Sequence, residues 1–223
     1  MKFIKCLIII TISLSINTFS FETEKLTIGL YTEAPLSNGI SFDYDFENDN
    51  FFKLRYGYSP RYYMEMLGDI LNLFDWWNGT YSSLLIELCT DMNGLELSFG
   101  TKNFLDKKII TNAGVTLYSL NYNNLGNETV NAVFGTNIEK GRNLNVKGKL
   151  VALHFNVAKE YQLNDRWSIK PGININYIYS FYGVIYSDVA INDSLSYKLN
   201  NWLRDYLEGL ILPTLMIEFQ YKF

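Results

Sequence analysis

The sequence predicts an all-β fold: a transmembrane antiparallel up-and-down barrel of eight to ten strands, with short helices in its external loops. Three observations predict it. They are a hydrophobic pattern of period two, an alternation of short and long connections, and an aromatic content of 16% that includes 17 Tyr and 15 Phe. Period two marks a strand because side chains alternate across the pleat. Over 167–181, Trp167, Ile169, Ile173, Ile175, Tyr177, Tyr179 and Phe181 share one face. Ser168, Lys170, Gly172, Asn174, Asn176 and Ser180 share the other, with Ile178 as the exception.

Taken in order, residues 1–20 read as a cleaved secretory signal: Lys2 and Lys5, an apolar run from Leu7 to Ile16, then Thr18 and Ser20 as small residues before a cut. That run is about half of the ~20 residues a membrane-spanning helix needs. Cys6 has no small-residue context in front of it, which argues against a lipid anchor. Residues 21–223 then form one barrel domain. Strand candidates are 25–32, 40–47, 51–58, 81–90, 94–101, 108–120, 128–138, 144–161 and 166–181, with a last strand ending at Phe223. Glu47-Asn48-Asp49-Asn50, Asp91-Met92-Asn93-Gly94 and Leu163-Asn164-Asp165-Arg166 are short turn-forming connections, since Asn, Asp and Gly tolerate left-handed conformations. The segments 59–79 and 182–208 are long, and counting back from the C-terminus puts short and long connections at opposite ends.

A register follows for each tight hairpin. With Glu47 opposite Phe51, Asp45 faces Lys53 and Asp43 faces Arg55, and opposite charges across strands are mildly favourable. Over 144–181, Tyr161 pairs with Trp167, Val157 with Pro171 and Phe155 with Ile173, all on the apolar face.

A soluble barrel would turn the apolar face inward around a small ligand. Two features favour the inverse. The strands 144–161 and 166–181 exceed the 9–11 residues that cross a tilted bilayer. Aromatics also gather near strand ends, as in interfacial girdles. The polar face is therefore assigned to the inside, with Asp43, Asp45, Lys53, Arg55, Glu87, Glu96, His154, Glu160, Lys170 and Glu218 as interior groups.

The terminal run Leu-Pro-Thr-Leu-Met-Ile-Glu-Phe-Gln-Tyr-Lys-Phe, with Phe219, Tyr221 and Phe223 in phase, resembles the C-terminal signal of bacterial outer-membrane β-barrels. The resemblance implies an integral outer-membrane location and reading of 212–223 by the barrel-assembly machinery. The composition, rich in Asn, Ile, Tyr, Phe and Lys, resembles that of small surface barrels from AT-rich genomes such as spirochaetes. No motif names a particular family.

Two of the 19 basic residues lie in the leader, leaving 17 against 23 acidic ones and no basic patch for nucleic acid. With Cys89 the one cysteine after the leader, no intrachain disulfide is available, and Cys89 reads as a buried thiol. Glu87 and Glu96 flank the 91–94 turn and could approach each other; salt linkage that plugs the interior is favoured over chemistry. His154 is the sole histidine, with Asn174 opposite in the proposed register. No pattern supplies the nucleophile and oxyanion site a triad needs, so no catalytic role, cofactor or metal is expected.

The loops carry helical spacing. Met64, Leu67, Leu71 and Phe74 recur in 63–77 before Trp76 and Trp77, and Leu199, Trp202, Leu203, Tyr206 and Leu207 recur in 199–207. Such helices cap the mouth, lie on the membrane surface, or offer Tyr62, Tyr63, Phe74, Trp76, Trp77, Trp202 and Tyr206 as anchors to a partner. The leading functional expectation is a non-enzymatic surface barrel whose loops contact an extracellular or host molecule. A narrow channel is the second, and an enzyme using His154 the third.

Overall fold

Eight long strands close on themselves because each finds an antiparallel neighbour on both edges. The structure is a computed structural model that describes residues 23–46, 48–73, 84, 86–105, 108–135, 137, 144–187 and 193–223. The signal segment 1–20 and the candidates Phe74, Trp76 and Trp77 lie outside the described residues. The barrel runs through β1 (Leu26–Ala34), β2 (Ser37–Asp45), β3 (Asn50–Tyr58), β4 (Asn93–Phe104), β5 (Ile109–Leu125) and β6 (Leu144–Lys159). It closes through β8 (Trp167–Ser187) and β9 (Ile211–Lys222), while the two-residue β7 (Tyr161–Gln162) only extends the turn before β8. Closure pairs both edges of each strand over the height that the strands share. Thr27 pairs with Lys222, so the first and last strands meet.

Two strand assignments change to helix. Residues 86–89, with Leu84, are helical, and Leu84 and Leu88 are buried four residues apart. The short apolar run of 81–90 fits either period, and packing beneath the barrel mouth selects the helix. In the second, α2 (Asn127–Phe134) replaces a strand over 128–138; it buries Val130 and ends at Gly135, whose φ of 61° is the left-handed cap that glycine adopts freely. As a result Asp91-Met92-Asn93-Gly94 is no hairpin turn. It leads from a helix into β4 at the end that carries the long connections.

Both registers keep the expected parity but slide by two residues. Phe46 donates its N–H to the Asn50 carbonyl, and Asn48 and Asp49 both hold φ of 61°. Asp43 therefore faces Lys53, and Asp45 faces Phe51. In the second hairpin Val157 pairs with Ile173 and Tyr161 with Ile169, because the turn closes through Leu163 N–H to the Trp167 carbonyl. His154 thus faces Asn176 rather than Asn174. A bulge at Tyr179 then shifts the pairing, so that Val151 meets Ser180 while Ala152 meets Ile178. That bulge exchanges the two faces of β8 above it: Phe181 is buried and Tyr182 exposed, and Ile178 is a regular inward residue.

The wall is uneven. β1, β2 and β3 have nine residues each, whereas β5, β6 and β8 have 17, 16 and 21. Above the level where β9 begins, one edge of β8 needs another cover. The helix α3 (Asp193–Leu207) and the residues after it provide one: Asn200 Oδ1 accepts from Gly183 N–H, Glu208 Oε1 from Phe181 N–H, and the Leu210 carbonyl from Ile178 N–H. Helix α1 (Arg61–Leu73) follows the short wall.

Candidate functional site

Strand β6 carries the arrangement in miniature. Its inward residues read Leu144, Val146, Gly148, Leu150 and Ala152, then His154 and Asn156; its outward residues read Asn145, Lys147 and Lys149, then Val151, Leu153, Phe155 and Val157. Near Leu150 the polarity of both faces reverses. Above that line the barrel is built like a water-soluble protein. Below it the interior is mostly polar, apart from a small apolar cluster of Phe51, Ile110, Ala158 and Met216, and the outside is apolar, with Leu215 68% exposed, Leu30 64% and Ile173 53%. Large apolar side chains exposed in this number are unusual on a monomeric soluble protein.

The polar interior holds two charge clusters. In the lower one, Lys53 Nζ lies 2.6 Å from Glu218 Oε2 and 3.5 Å from Asp43, and Lys170 Nζ lies 3.6 Å from Asp43. Gln220 Nε2 donates to both Asp43 and Glu218, at 2.8 Å each, and Ser41 donates to Glu218. Gly29 makes this possible, because a Cβ there would collide with Ser41 Oγ and crowd Glu218. Two cations thus meet two carboxylates, and Asp43 and Glu218 are at most 1% exposed.

In the upper cluster Arg55 Nη2 bonds Glu96 and lies 3.2 Å from Glu33, with its guanidinium 4.6 Å over the Tyr31 ring. Glu33 Oε1 accepts from Asn174, Asn176 and Thr214. His154 Nε2 lies 3.2 Å from Glu96 Oε1, and its Nδ1 lies 3.3 Å from Thr116 Oγ1. Ser98 donates to Glu96 at 3.4 Å, so the carboxylate stands between serine and histidine. A triad needs the ring between the other two, and this order is different. Buried charges of this density are tolerated when each has an opposite charge beside it, as these have, although Asp43 Oδ1 and Arg55 Nε lack a hydrogen-bond partner.

Directly above runs one registered row: Tyr31, Gly39, Gly57, Gly94, Tyr118 across five strands. The tyrosines occupy the space the glycines leave. A Cβ on Gly57 would strike the Tyr31 hydroxyl, and one on Gly94 the Tyr118 ring.

Over that row lies an apolar cap. Met64 and Leu67 of α1, Leu84, Leu88 and Cys89, Val130 of α2, and Leu195, Leu199, Leu203 and Leu207 of α3 pack on Leu144, Val146, Leu150, Ile178 and Phe181 of the tall wall. Between cap and polar interior is a cavity of about 40 Å³ whose lining includes Met64, Cys89, Tyr118 and Asn176. Burial pushes the Cys89 thiol up to about 12. Burial also raises the Glu87 carboxyl above its ordinary range, opposed by the Gly126 N–H and by Arg61.

The interior brings together seven of the predicted groups: Asp43, Lys53, Arg55, Glu96, His154, Lys170 and Glu218. Three lie elsewhere. Asp45 sits at the rim, 2.6 Å from Lys102; Glu160 sits in the turn after β6; Glu87 belongs to the cap helix and does not approach Glu96. Glu33 and Tyr31 were missed, although Thr27, Tyr31 and Glu33 alternate inward along β1. Of the loop aromatics, Tyr63 is buried and its hydroxyl contacts Thr32, while Tyr62 is exposed and edge-to-face with it. Trp202 is half-buried against Phe134 and Tyr206. At the opposite end Trp167 stacks on Phe219 at 4.9 Å and meets Tyr221 at 4.8 Å, so Phe219, Tyr221 and Phe223 belong to an aromatic girdle.

Among the described residues no helix is long and apolar enough to cross a membrane, which says nothing of crossing by strands. No family model matches the chain, and no curated protein matches it. Among solved structures the chain is similar to CarO of Acinetobacter baumannii, with a TM-score of 0.35 and 8% identity over 88% of this chain and 97% of CarO.

Proposed function

We propose that the chain is an integral outer-membrane barrel, sealed by its own side chains, that presents a helix-capped platform outside the cell. The observation that carries this reading is the reversal of polarity along β6. Residues 150–158 make ~30 Å of strand at ~3.3 Å per residue, which at a tilt of about 40° spans ~23 Å, close to the ~25 Å apolar band of membrane barrels. Lys149 and Lys159 bracket that stretch on the outward face. The girdle of Trp167, Phe219, Tyr221 and Phe223 marks the inner interface and the strand offered to the assembly machinery.

The role is non-enzymatic binding. The paired interior charges hold the barrel shut, and the exposed aromatics Tyr62 and Tyr206 beside the cap are what an extracellular partner meets. A second reading, a narrow channel for small solutes, is favoured by the polar lining of Asp43, Lys53, Arg55 and Glu218; it requires the cap and the ion pairs to move. Residues 21–223 refolded into vesicles should show heat-shifted gel mobility and carry no current in a planar bilayer. Discrete, reproducible current steps would establish the channel instead.

A further inference from the structure

We propose that helix α1 lies in the interface of the outer leaflet, with an apolar stripe that the cap leaves uncovered set among the acyl chains. The inference rests on the membrane reading above and adds a lipid contact beyond those of the strands. Around its axis α1 has three faces. Tyr63, Met64 and Leu67 are buried in the cap. Arg61, Glu65, Asp69 and Asn72 form an exposed polar arc, in which Arg61 Nε donates to Glu65 Oε1 at 2.9 Å. On the remaining side Tyr62, Met66, Ile70 and Leu73 are exposed, and at 3.6 residues per turn they fall within an arc of about 80°.

A helix whose uncovered side met only water would carry polar residues across all of that side. Helix α3 shows this arrangement. Among its described residues, those exposed are Lys198, Arg204 and Asp205 with Tyr197 and Tyr206, and none is aliphatic. In α1 half of the uncovered side is instead apolar, with three aliphatic groups in line.

The short wall brings α1 out at the upper edge of the apolar belt. Leu30, Ile40 and Tyr56 make one registered outward row, and Thr32, Asn38 and Tyr58 make the next. β3 ends at Tyr58 and α1 begins at Arg61, so this wall lacks the water-facing storey that Lys149 opens on β6. Two bonds tie the start of the helix to that last outward row. Asn38 Nδ2 donates to the Tyr62 hydroxyl at 2.9 Å, and the Tyr63 hydroxyl bonds Thr32 Oγ1. Asn38 also borders an open hollow of about 390 Å³ on the outer wall, whose lining includes Leu30, Ile40, Tyr56 and Tyr58.

Continuity with the belt names the occupant. The stripe starts at Tyr62, on the outward row itself, so the phase that meets Leu30, Ile40 and Tyr56 also meets the stripe. Acyl chains that fill the hollow run up the wall against the helix. An interfacial helix sinks its apolar face about 5–10 Å into the boundary of headgroups and chains. Tyr62 stays at headgroup level, where its ring and hydroxyl suit both phases. A protein partner would need a surface shaped to wall and helix together, whereas lipid needs only the apolar continuity.

The test uses residues 21–223 refolded in phosphatidylcholine vesicles, in a Cys89→Ser background whose folding is confirmed by heat-shifted mobility. Met66→Cys, Ile70→Cys and Leu73→Cys carry an environment-sensitive fluorophore, with Asp69→Cys on the polar arc and Leu153→Cys on the barrel wall as references. Bromines in the upper part of the acyl chain should quench the three stripe positions, and bromines near the chain end should quench them less. Iodide should quench Asp69→Cys. Adding Ile70→Asp with Leu73→Asp should shift position 66 from bromine to iodide quenching. Iodide quenching of all three stripe positions, with Leu153→Cys still quenched by bromine, overturns the interfacial helix and leaves the membrane reading intact. Quenching of the stripe by neither agent also overturns it, because a second copy or another protein then covers these residues. Iodide quenching of Leu153→Cys is a different result: it overturns the membrane reading and the helix assignment together.

Discussion

Lys53 Nζ lies 2.6 Å from Glu218 Oε2 across the barrel interior, joining β3 to β9, two strands that are not paired in the sheet. Arg55 does the same one level up, linking β3 to Glu33 of β1 and Glu96 of β4. These cross-links fasten the wall from within. They also occupy the volume through which a solute would pass.

Removing one partner should therefore cost more than removing a pair. Glu218→Ala leaves Lys53 and Lys170 facing Asp43 alone, and losing one member of a buried pair costs about 3–5 kcal/mol. Lys53→Met with Glu218→Leu keeps Asp43 paired with Lys170 at 3.6 Å and should cost clearly less than the single change. Urea unfolding in detergent, followed by heat-shifted mobility, gives both values.

Gly57→Ala should destabilise by about 1–3 kcal/mol, because its Cβ enters the space of the Tyr31 hydroxyl. Tyr31→Phe removes that oxygen and should recover part of the loss. Full stability of Gly57→Ala alone would show that the tyrosine-over-glycine row is loosely packed.

The cap should respond to pH through Glu87. A carboxyl whose pKa is raised in the folded state binds its proton more readily folded than unfolded. Stability is therefore greatest below the ordinary value of 4.5 and falls as pH rises through the folded-state value. Glu87→Gln should protect the cap from proteolysis at pH 8 and make no difference at pH 4. Equal protection at both values would refute a desolvated carboxyl at this half-buried position.

Cys89, whose thiol is held up to about 12 by burial in the cap, should resist iodoacetamide at pH 8 while the protein is folded. Labelling should begin only as the cap opens in denaturant, which makes it a reporter of cap opening separate from barrel unfolding.

Much of the barrel was legible in the sequence because period two survives local noise. Trp167, Ile173, Ile175 and Tyr177 alternate with Ser168, Lys170, Asn174 and Asn176, and the structure keeps that parity. Register was less legible, since parity is unchanged by a slide of two residues, and the left-handed Asn48 and Asp49 set the turn length. The bulge at Tyr179 leaves no mark in the pattern beyond the odd position of Ile178, so simple alternation puts Phe181 outward where the structure buries it. The cap was half visible: helical spacing of Leu199 and Leu203 was read, but the helical run at 86–89 contains consecutive apolar residues that match either period. Glu33 lies one residue beyond the 25–32 candidate, although the alternation of Leu26, Ile28 and Leu30 with Thr27, Gly29 and Tyr31 continues to it.

The account depends most on where the outward face of β6 changes solvent. In a Cys89→Ser background, Lys147→Cys, Lys149→Cys, Val151→Cys, Leu153→Cys, Phe155→Cys and Val157→Cys, each labelled with an environment-sensitive fluorophore in vesicles, map that change residue by residue. The first two should be quenched by iodide from water, and the last four by brominated acyl chains, with the switch between 149 and 151. Iodide quenching at all six would contradict a membrane-embedded barrel, and a switch elsewhere would contradict the polarity reversal as its boundary.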